Sequence, residues 1–134
     1  MAYICFGTND LVRASAFYDA VLSALGHQRY PASEESDPDL WAGWGLAAPS
    51  FWVCKPFDAR RATAGNGSMV AFSAKSWRQV DDFHAAAMTY GGTSEGPPGL
   101  RLNYAADFYA AYVRDPDGNK IAVICRGIIG PQSI

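Results

Sequence analysis

The side chains that could support metal or nucleophilic chemistry are few in this chain. It contains two histidines, His27 and His84, and three cysteines, Cys5, Cys54 and Cys125. A transition-metal site would therefore need mostly carboxylate or thiolate ligands. The cysteines are far apart, form no CxxC pair and lie in apolar runs, which is typical of reduced, strand-borne cysteines in a cytoplasmic protein.

Other catalytic patterns are weak or missing. The acidic residues between positions 34 and 39 fall in one predicted loop, where such a run is more typical of a solvated surface than of a catalytic carboxylate pair. The sequence has no GxSxG elbow, no phosphate-binding loop and no dinucleotide fingerprint. His84 falls on the apolar stripe of a predicted helix, which favours a packed, hydrogen-bonded histidine over a catalytic one. The adjacent pair Arg60 and Arg61 is interpreted as a solvated loop tip.

Length and composition restrict the class of protein. The chain has 134 residues, a net charge of −2, 49 % hydrophobic and 18 % charged residues, which predicts one globular domain with a sizeable core. The balanced charge gives no basic surface for nucleic acid. No apolar run is long enough to span a membrane, and no secretory signal is visible, so we expect a cytoplasmic protein.

The elements that would position these side chains occur twice. A shift of 66 positions places residues 4–26 over residues 70–92. Each copy begins with a short apolar strand and continues into an amphipathic helix. Asp10 and Ser76 are suited to cap the helix N-termini, because their side-chain oxygens can accept free backbone N–H groups. Gly26 and Gly92 are suited to the left-handed position after each helix.

Three strands are predicted after each helix. They cover residues 28–30, 40–46 and 51–54 in the first copy, and residues 93–95, 108–114 and 120–125 in the second. The segment Asp115–Asn119 has the Asp, Pro and Gly residues of a tight turn. Residues 31–39 and 96–106 are predicted loops. The single domain therefore divides into module one (about 1–57), a linker (about 58–67) and module two (about 68–127).

Three segments resemble a known superfamily. They are NDLVRASAFYDAVLSALG, NGSMVAFSAKSWRQVDDFHAAAMTYGG and FYAAYVRDPDGNKIAVIC, and they resemble the glyoxalase/bleomycin-resistance/dioxygenase proteins, the vicinal-oxygen-chelate superfamily. The resemblance implies an α+β fold in which two βαβββ modules form a cup-shaped mixed sheet with the helices outside. It agrees with the module order that the repeat predicts.

The resemblance also implies a divalent metal that chelates two substrate oxygens inside the cup. The positions that correspond to the ligands of the superfamily are Tyr3, Trp52, Met69 and Ala122. None of these is a usual ligand for a hard divalent ion. We therefore expect no cofactor, and the departure puts lactoylglutathione lyase, dioxygenase and metal-dependent antibiotic-inactivating activities in doubt.

Strand alternation from Tyr3 predicts an apolar, aromatic and sulfur-bearing lining for the cup, which suits a flat or greasy small molecule. Arg101, in the loop before the penultimate strand, could meet an anionic group of such a ligand. Cys5 and Cys54 could face each other as a thiol site, although buried structural cysteines fit the pattern better. The candidate ligand-binding residues are Tyr3, Cys5, Trp52, Cys54, Met69, Arg101, Tyr104, Tyr109 and Ala122.

Three hypotheses follow for the function. The first is a metal-free homodimer that binds a small aromatic or amphipathic molecule. The second is an enzyme, either a lactoylglutathione-lyase-like lyase or a dioxygenase-like oxidoreductase, that uses unorthodox groups such as Tyr3 or Tyr109. The third is a structural or regulatory dimer whose cup is filled by its own side chains. All three exclude nucleic acid and membrane as partners.

Overall fold

The computed structural model describes residues 1–31 and 41–130, and these form the same set of elements twice. The first set comprises β1 (Ile4–Gly7), α1 (Leu11–Ser23), β2 (Gln28–Tyr30), β3 (Trp41–Gly45) and β4 (Pro49–Cys54). The second comprises β5 (Met69–Ala74), α2 (Trp77–Thr89), β6 (Thr93–Leu100), β7 (Tyr109–Arg114) and β8 (Lys120–Cys125).

Each set builds one four-stranded mixed sheet. The strand orders are β1-β4-β3-β2 and β5-β8-β7-β6. In both sheets the first strand is parallel to the last one, and the other neighbours are antiparallel. The register places Cys5 beside Trp52 in the first sheet and Ala71 beside Ala122 in the second. The predicted α+β fold of two βαβββ modules is confirmed.

The two helices begin where the sequence predicts. The Asp10 side chain accepts a hydrogen bond of 3.0 Å from the backbone N–H of Arg13, and Ser76 accepts one of 3.1 Å from Gln79. Each cap satisfies a donor that has no partner inside its helix. Both helices have 13 residues, and none of the described helices is long and apolar enough to cross a membrane.

The helix ends differ in part from the prediction. Gly26 does adopt a positive φ, of 82°. After α2, however, Gly91 takes the left-handed conformation, with φ of 95°, and Gly92 does not. Gly92 is needed for a different reason, because a Cβ atom there would lie 2.8 Å from the carbonyl oxygen of Arg114 and 2.9 Å from the ring of Phe17. The glycine pair therefore combines a helix stop with a close approach between elements.

Strand β6 is longer than predicted and includes part of the predicted loop 96–106. Its pairing with β7 is irregular between Ser94 and Gly99. Pro97 and Pro98 are tolerated there because β6 is an edge strand and its pairing with β7 is interrupted between Gly96 and Gly99. The other predicted loop, 31–39, lies outside the described residues except for Pro31, as does position 40 of the predicted strand 40–46.

One hydrophobic core joins both helices to one face of both sheets. The ring of Phe51 on β4 contacts the ring of Phe72 on β5 at a centroid distance of 5.2 Å, so the two sheets meet on this side. The largest fully buried side chains include Trp44, Tyr18, Phe17 and Phe83. The opposite face of each sheet, here called the open face, carries the side chains that the core does not use.

Candidate functional site

On the open face of module one, two tryptophans form the centre of an aromatic surface. Trp41 and Trp52 meet edge to face, with ring centroids 5.0 Å apart. The ring of Trp52 lies directly over Gly43, where an added Cβ atom would overlap it. Gly43 therefore lets a large aromatic ring lie flat against the sheet.

Next to this surface, two cysteine side chains are in contact. The Sγ atoms of Cys5 on β1 and Cys54 on β4 are 2.8 Å apart, and both residues are free cysteines. Burial, followed by the hydrogen bond and the charge of Cys54, raises the pKa of Cys5 to about 12. Cys125, by contrast, is completely buried in the core.

A depression of about 560 Å³ opens beyond the carboxyl ends of the parallel strands β1 and β4. Its walls are apolar at Trp41, Pro56 and Phe57, and the other lining residues are Thr8, Asn9, Cys54, Lys55, Ala59, Arg60 and Arg61. A volume of this size is typical of small-molecule sites. We call it the linker pocket, since six of its ten lining residues follow β4 in the segment that connects the modules.

A pair of hydrogen bonds holds this linker in place. The side-chain oxygen of Asn9 accepts from the backbone N–H of Ala62 at 2.7 Å, and its Nδ2 donates to the carbonyl oxygen of Ala62 at 2.9 Å. Lys55, Arg60 and Arg61 form no ion pair with a described residue. Three cations thus border an apolar depression, and none of the described carboxylates pairs with them.

The open face of module two has a different arrangement, centred on Tyr112. The guanidinium of Arg101 lies 5.5 Å from the centroid of this ring, and the Lys120 ammonium lies 5.7 Å from it. Arg101 also donates to the carbonyl oxygens of Gly99 at 2.8 Å and Pro97 at 2.7 Å. Arg101 is therefore held by the backbone of β6.

An ion pair lies at the end of the same face. Nε of Arg114 donates to Oε1 of Glu95 over 2.7 Å, and this hydrogen bond lowers the pKa of the Glu95 carboxyl. Ala122, which pairs with Tyr112 in the ladder, is fully buried. The centre of this face is thus occupied by the protein's own tyrosine and basic side chains.

The remaining predicted site residues lie apart from the linker pocket. The exposed fraction of Tyr3 is 61 % and that of Met69 is 45 %. Tyr104 is exposed and contacts Phe108, at a centroid distance of 5.1 Å. Tyr109 lies on the helix side, where its ring stacks on Trp77 at 4.1 Å. The structure therefore brings together Cys5, Trp52 and Cys54, but it does not place Tyr109 on the same face as them.

The positions that correspond to the metal ligands of the superfamily offer a poor donor set. Tyr3 supplies a phenol, Trp52 an indole N–H donor and Met69 a soft thioether, while Ala122 has no donor atom. Within residues 1–31 and 41–130, no three His, Cys, Asp or Glu side chains come together as metal ligands would. The residues present do not fit a hard divalent ion at this place.

The two histidines have structural surroundings. Nε2 of His84 is 2.9 Å from the hydroxyl of Ser94, so this helix histidine is hydrogen-bonded as expected. Burial lowers its pKa. His27 packs edge to face on Phe72 at 6.1 Å, and burial lowers its pKa too. Neither histidine lines the linker pocket.

The cationic part of the linker pocket was missed from the sequence. The sequence predicts a solvated loop tip at Arg60 and Arg61, and it contains no motif that marks Lys55 or Phe57 as site residues. The signal in the sequence is the arginine pair itself, together with Phe57, which lies three residues before it. What could not be seen was the long-range attachment at Asn9 that brings the linker against β4.

Among known proteins, solved structures share the fold of this chain. No protein-family model matches the chain, and no curated protein matches it. A glyoxalase/bleomycin resistance protein from Albidiferax ferrireducens is 40 % identical, with 95 % of this chain and 98 % of that chain covered and a TM-score of 0.81.

Two more distant structures share the fold. A glyoxalase/bleomycin resistance protein/dioxygenase family enzyme from Burkholderia phytofirmans is 21 % identical, with coverages of 94 % and 98 % and a TM-score of 0.70. A fosfomycin resistance protein from Listeria monocytogenes, solved with Mn(II) and a dihydroxypropylphosphonic acid, is 13 % identical, with coverages of 96 % and 92 % and a TM-score of 0.69.

Proposed function

Since the chain belongs to the glyoxalase/bleomycin resistance protein family, we propose that it is a metal-independent binding protein of that family. Its ligand is a small amphipathic molecule with an aromatic or apolar body and an anionic group. The linker pocket is its binding site.

The observation that carries this proposal is the combination of surfaces in the linker pocket. Trp41 and Phe57 offer aromatic walls, against which a flat apolar body packs favourably. Arg60 and Arg61 lie at the same depression and can bind a carboxylate, sulfonate or phosphate through paired N–H groups. An aromatic anion satisfies both surfaces at once.

The donor set supports the metal-independent part of the proposal. The fosfomycin resistance relative holds Mn(II), an ion that prefers oxygen ligands. Here the four positions that the resemblance to the superfamily assigns to a metal include Met69 and Ala122, whose side chains supply no oxygen. Binding at the linker pocket needs none of these four positions, since none of them lines it.

The test uses anilinonaphthalene sulfonate, a fluorescent aromatic anion, as the probe. We expect one probe molecule to bind per chain, with unchanged affinity after dialysis against a chelator. The double variant Arg60→Glu/Arg61→Glu should weaken binding by at least about tenfold, which corresponds to about 1.4 kcal/mol. Trp41→Ala should weaken the sulfonate and the uncharged anilinonaphthalene alike, because it removes the apolar wall.

The matched control is Arg78→Glu, at an exposed arginine on α2 whose side chain is 62 % accessible and far in sequence from the pocket. It changes the net charge by two units, as Arg60→Glu or Arg61→Glu alone does, so it is compared with these single variants and should leave the affinity as it was. Equal weakening by Arg78→Glu would mean that only net charge matters. Retained binding in the Arg60/Arg61 variant would exclude the linker pocket as the site. Near-UV circular dichroism checks that each variant is folded.

A further inference from the structure

From the contact between Cys5 and Cys54, we infer a redox-reactive dithiol site on the open face of module one, which exchanges with low-molecular-weight disulfides to form an intramolecular disulfide. This inference does not rest on the ligand proposed for the linker pocket, although Cys54 lines that pocket.

The geometry brings the two sulfurs close to bonding distance. Their separation of 2.8 Å is only about 0.8 Å longer than a disulfide bond of about 2.0 Å. The two cysteines belong to neighbouring parallel strands, and the ladder places Cys5 beside Trp52 and Cys54 beside Gly7. Strand β1 is an edge strand, so a small shift of its backbone disturbs only one ladder.

Both cysteines are at least partly exposed, which distinguishes them from Cys125. Cys5 is exposed and Cys54 is partly exposed, whereas Cys125 is buried. Cys54 also lines the linker pocket together with Lys55, Arg60 and Arg61. These cations can hold the carboxylates of an anionic disulfide such as glutathione disulfide beside Cys54, so the geometry assigns the first attack to Cys54. Cys5 is the resolving thiol, and its raised pKa keeps it protonated until Cys54 has reacted.

The exchange balances in two steps with glutathione disulfide as the oxidant. The Cys54 thiolate attacks one sulfur of glutathione disulfide, a protein–glutathione disulfide forms, and one glutathione leaves as its thiolate. Cys5 then loses its proton to solvent and attacks the Cys54 sulfur, and the second glutathione leaves. The two protein thiols are oxidised, and one glutathione disulfide is reduced to two glutathiones.

The experiment counts thiols in the full chain after equilibration with glutathione redox buffers. Unreacted thiols are alkylated in denaturant and counted by mass spectrometry, and the disulfide is located by peptide mapping. We expect the count to fall from three to one as the buffer becomes oxidising, with Cys5 and Cys54 lost together and Cys125 retained. Three thiols retained in excess glutathione disulfide would overturn the inference, as would a glutathione adduct that persists on the wild-type chain.

Single variants separate the two roles. Cys5→Ser should accumulate the glutathione adduct on Cys54, because the resolving thiol is missing. Cys54→Ser should leave Cys5 alkylatable under the same conditions, and an equally rapid adduct on Cys5 would overturn the assigned order of attack. Cys125→Ala is the control and should lose the same two thiols as the wild type. If that core variant does not fold, the wild-type peptide map still decides the pairing.

Discussion

The hydroxyl of Tyr18 donates a hydrogen bond of 2.7 Å to Oδ2 of Asp115, and both residues are buried. Tyr18 is on α1 of module one, whereas Asp115 begins the turn between β7 and β8 of module two. The other carboxylate oxygen of Asp115 accepts from the backbone N–H groups of Asp117 and Asn119, each at 2.9 Å. One carboxylate therefore orders a turn and attaches the helix of the other module to it.

Tyr18→Phe should destabilise the protein by about 1.5–3 kcal/mol, which is typical for a hydrogen bond to a charged group. The variant keeps the aromatic packing of Tyr18 and removes only the donor to Asp115. The free energy of unfolding, from denaturant titration, measures the loss.

A second tyrosine–aspartate pair provides the control for Tyr18. The hydroxyl of Tyr109 donates to Oδ1 of Asp81 over 2.7 Å, but Asp81 is exposed to solvent. Tyr109→Phe should therefore lower the free energy of unfolding by less than Tyr18→Phe does, since water can replace the donor to Asp81. Equal losses in the two variants would show that burial of the Tyr18–Asp115 pair adds nothing.

The pH dependence of the free energy of unfolding should reflect the ionisation of Asp115. Burial raises the pKa of this carboxyl in the folded protein, although the hydrogen bond from Tyr18 opposes the shift. For an acid with a raised folded pKa, the stabilising contribution is present below the unfolded pKa and is lost as pH rises through the folded value. Tyr18→Phe removes an opposing cause and raises the pKa of Asp115 further.

The stability deficit of Tyr18→Phe should therefore grow as pH rises from the ordinary Asp range of about 4 towards neutrality. Denaturant titrations of both proteins across this interval measure the difference. A deficit that stays constant with pH would mean that the hydrogen bond does not act on the ionisation of Asp115.

Local signals made most of the fold predictable from the sequence. The caps at Asp10 and Ser76 and the alternation of the strands depend on residues close together in the chain, so they are readable without tertiary information. The strand β6 was underestimated because Pro97 and Pro98 normally argue against a strand. The edge position of β6 and its interrupted pairing with β7 make them acceptable, and both are properties of the whole fold.

The candidate site was less predictable, because it depends on contacts across long stretches of sequence. The linker pocket exists where Asn9 holds Ala62, 53 residues later in the chain. Arg101 was expected at a pocket edge, but the carbonyl groups of Gly99 and Pro97 hold it over Tyr112. The contact of Asn9 with Ala62 leaves no local pattern in the sequence. The contacts of Arg101 are close in the chain, but they depend on the irregular pairing of β6 with β7.

Asn9→Ala should lower the ligand affinity of the linker pocket more than it lowers the stability of the fold. It removes both hydrogen bonds to Ala62, each worth about 0.5–1.5 kcal/mol, and frees the segment that carries Arg60 and Arg61. The affinity for anilinonaphthalene sulfonate should fall severalfold, as measured by fluorescence titration. Asn103→Ala, at an exposed asparagine on another loop, is the control. Unchanged affinity in Asn9→Ala would show that the linker keeps its place without these bonds.

Gly43→Ala should displace the ring of Trp52. The added methyl group overlaps this ring, and overpacking of this kind costs about 1–3 kcal/mol. Tryptophan fluorescence and denaturant titration measure the two effects. In the Gly43→Ala/Trp52→Ala double variant the ring is gone, so the alanine at position 43 should cost less than it does alone. Additive losses of stability would show that the cost of alanine at position 43 does not come from contact with the Trp52 ring.

Removal or addition of a hard divalent metal should leave the protein unchanged. An ion present at 100 times its Kd would stabilise the fold by about 2.7 kcal/mol, which thermal denaturation detects easily. We expect no such shift with Mn²⁺ or Mg²⁺, because Met69 and Ala122 offer these ions no oxygen. Both ions bind thiols poorly, so Cys5 and Cys54 do not confuse the measurement. Saturable stabilisation by one Mn²⁺ per chain, lost in Tyr3→Phe, would contradict the metal-independent proposal and identify Tyr3 as a ligand.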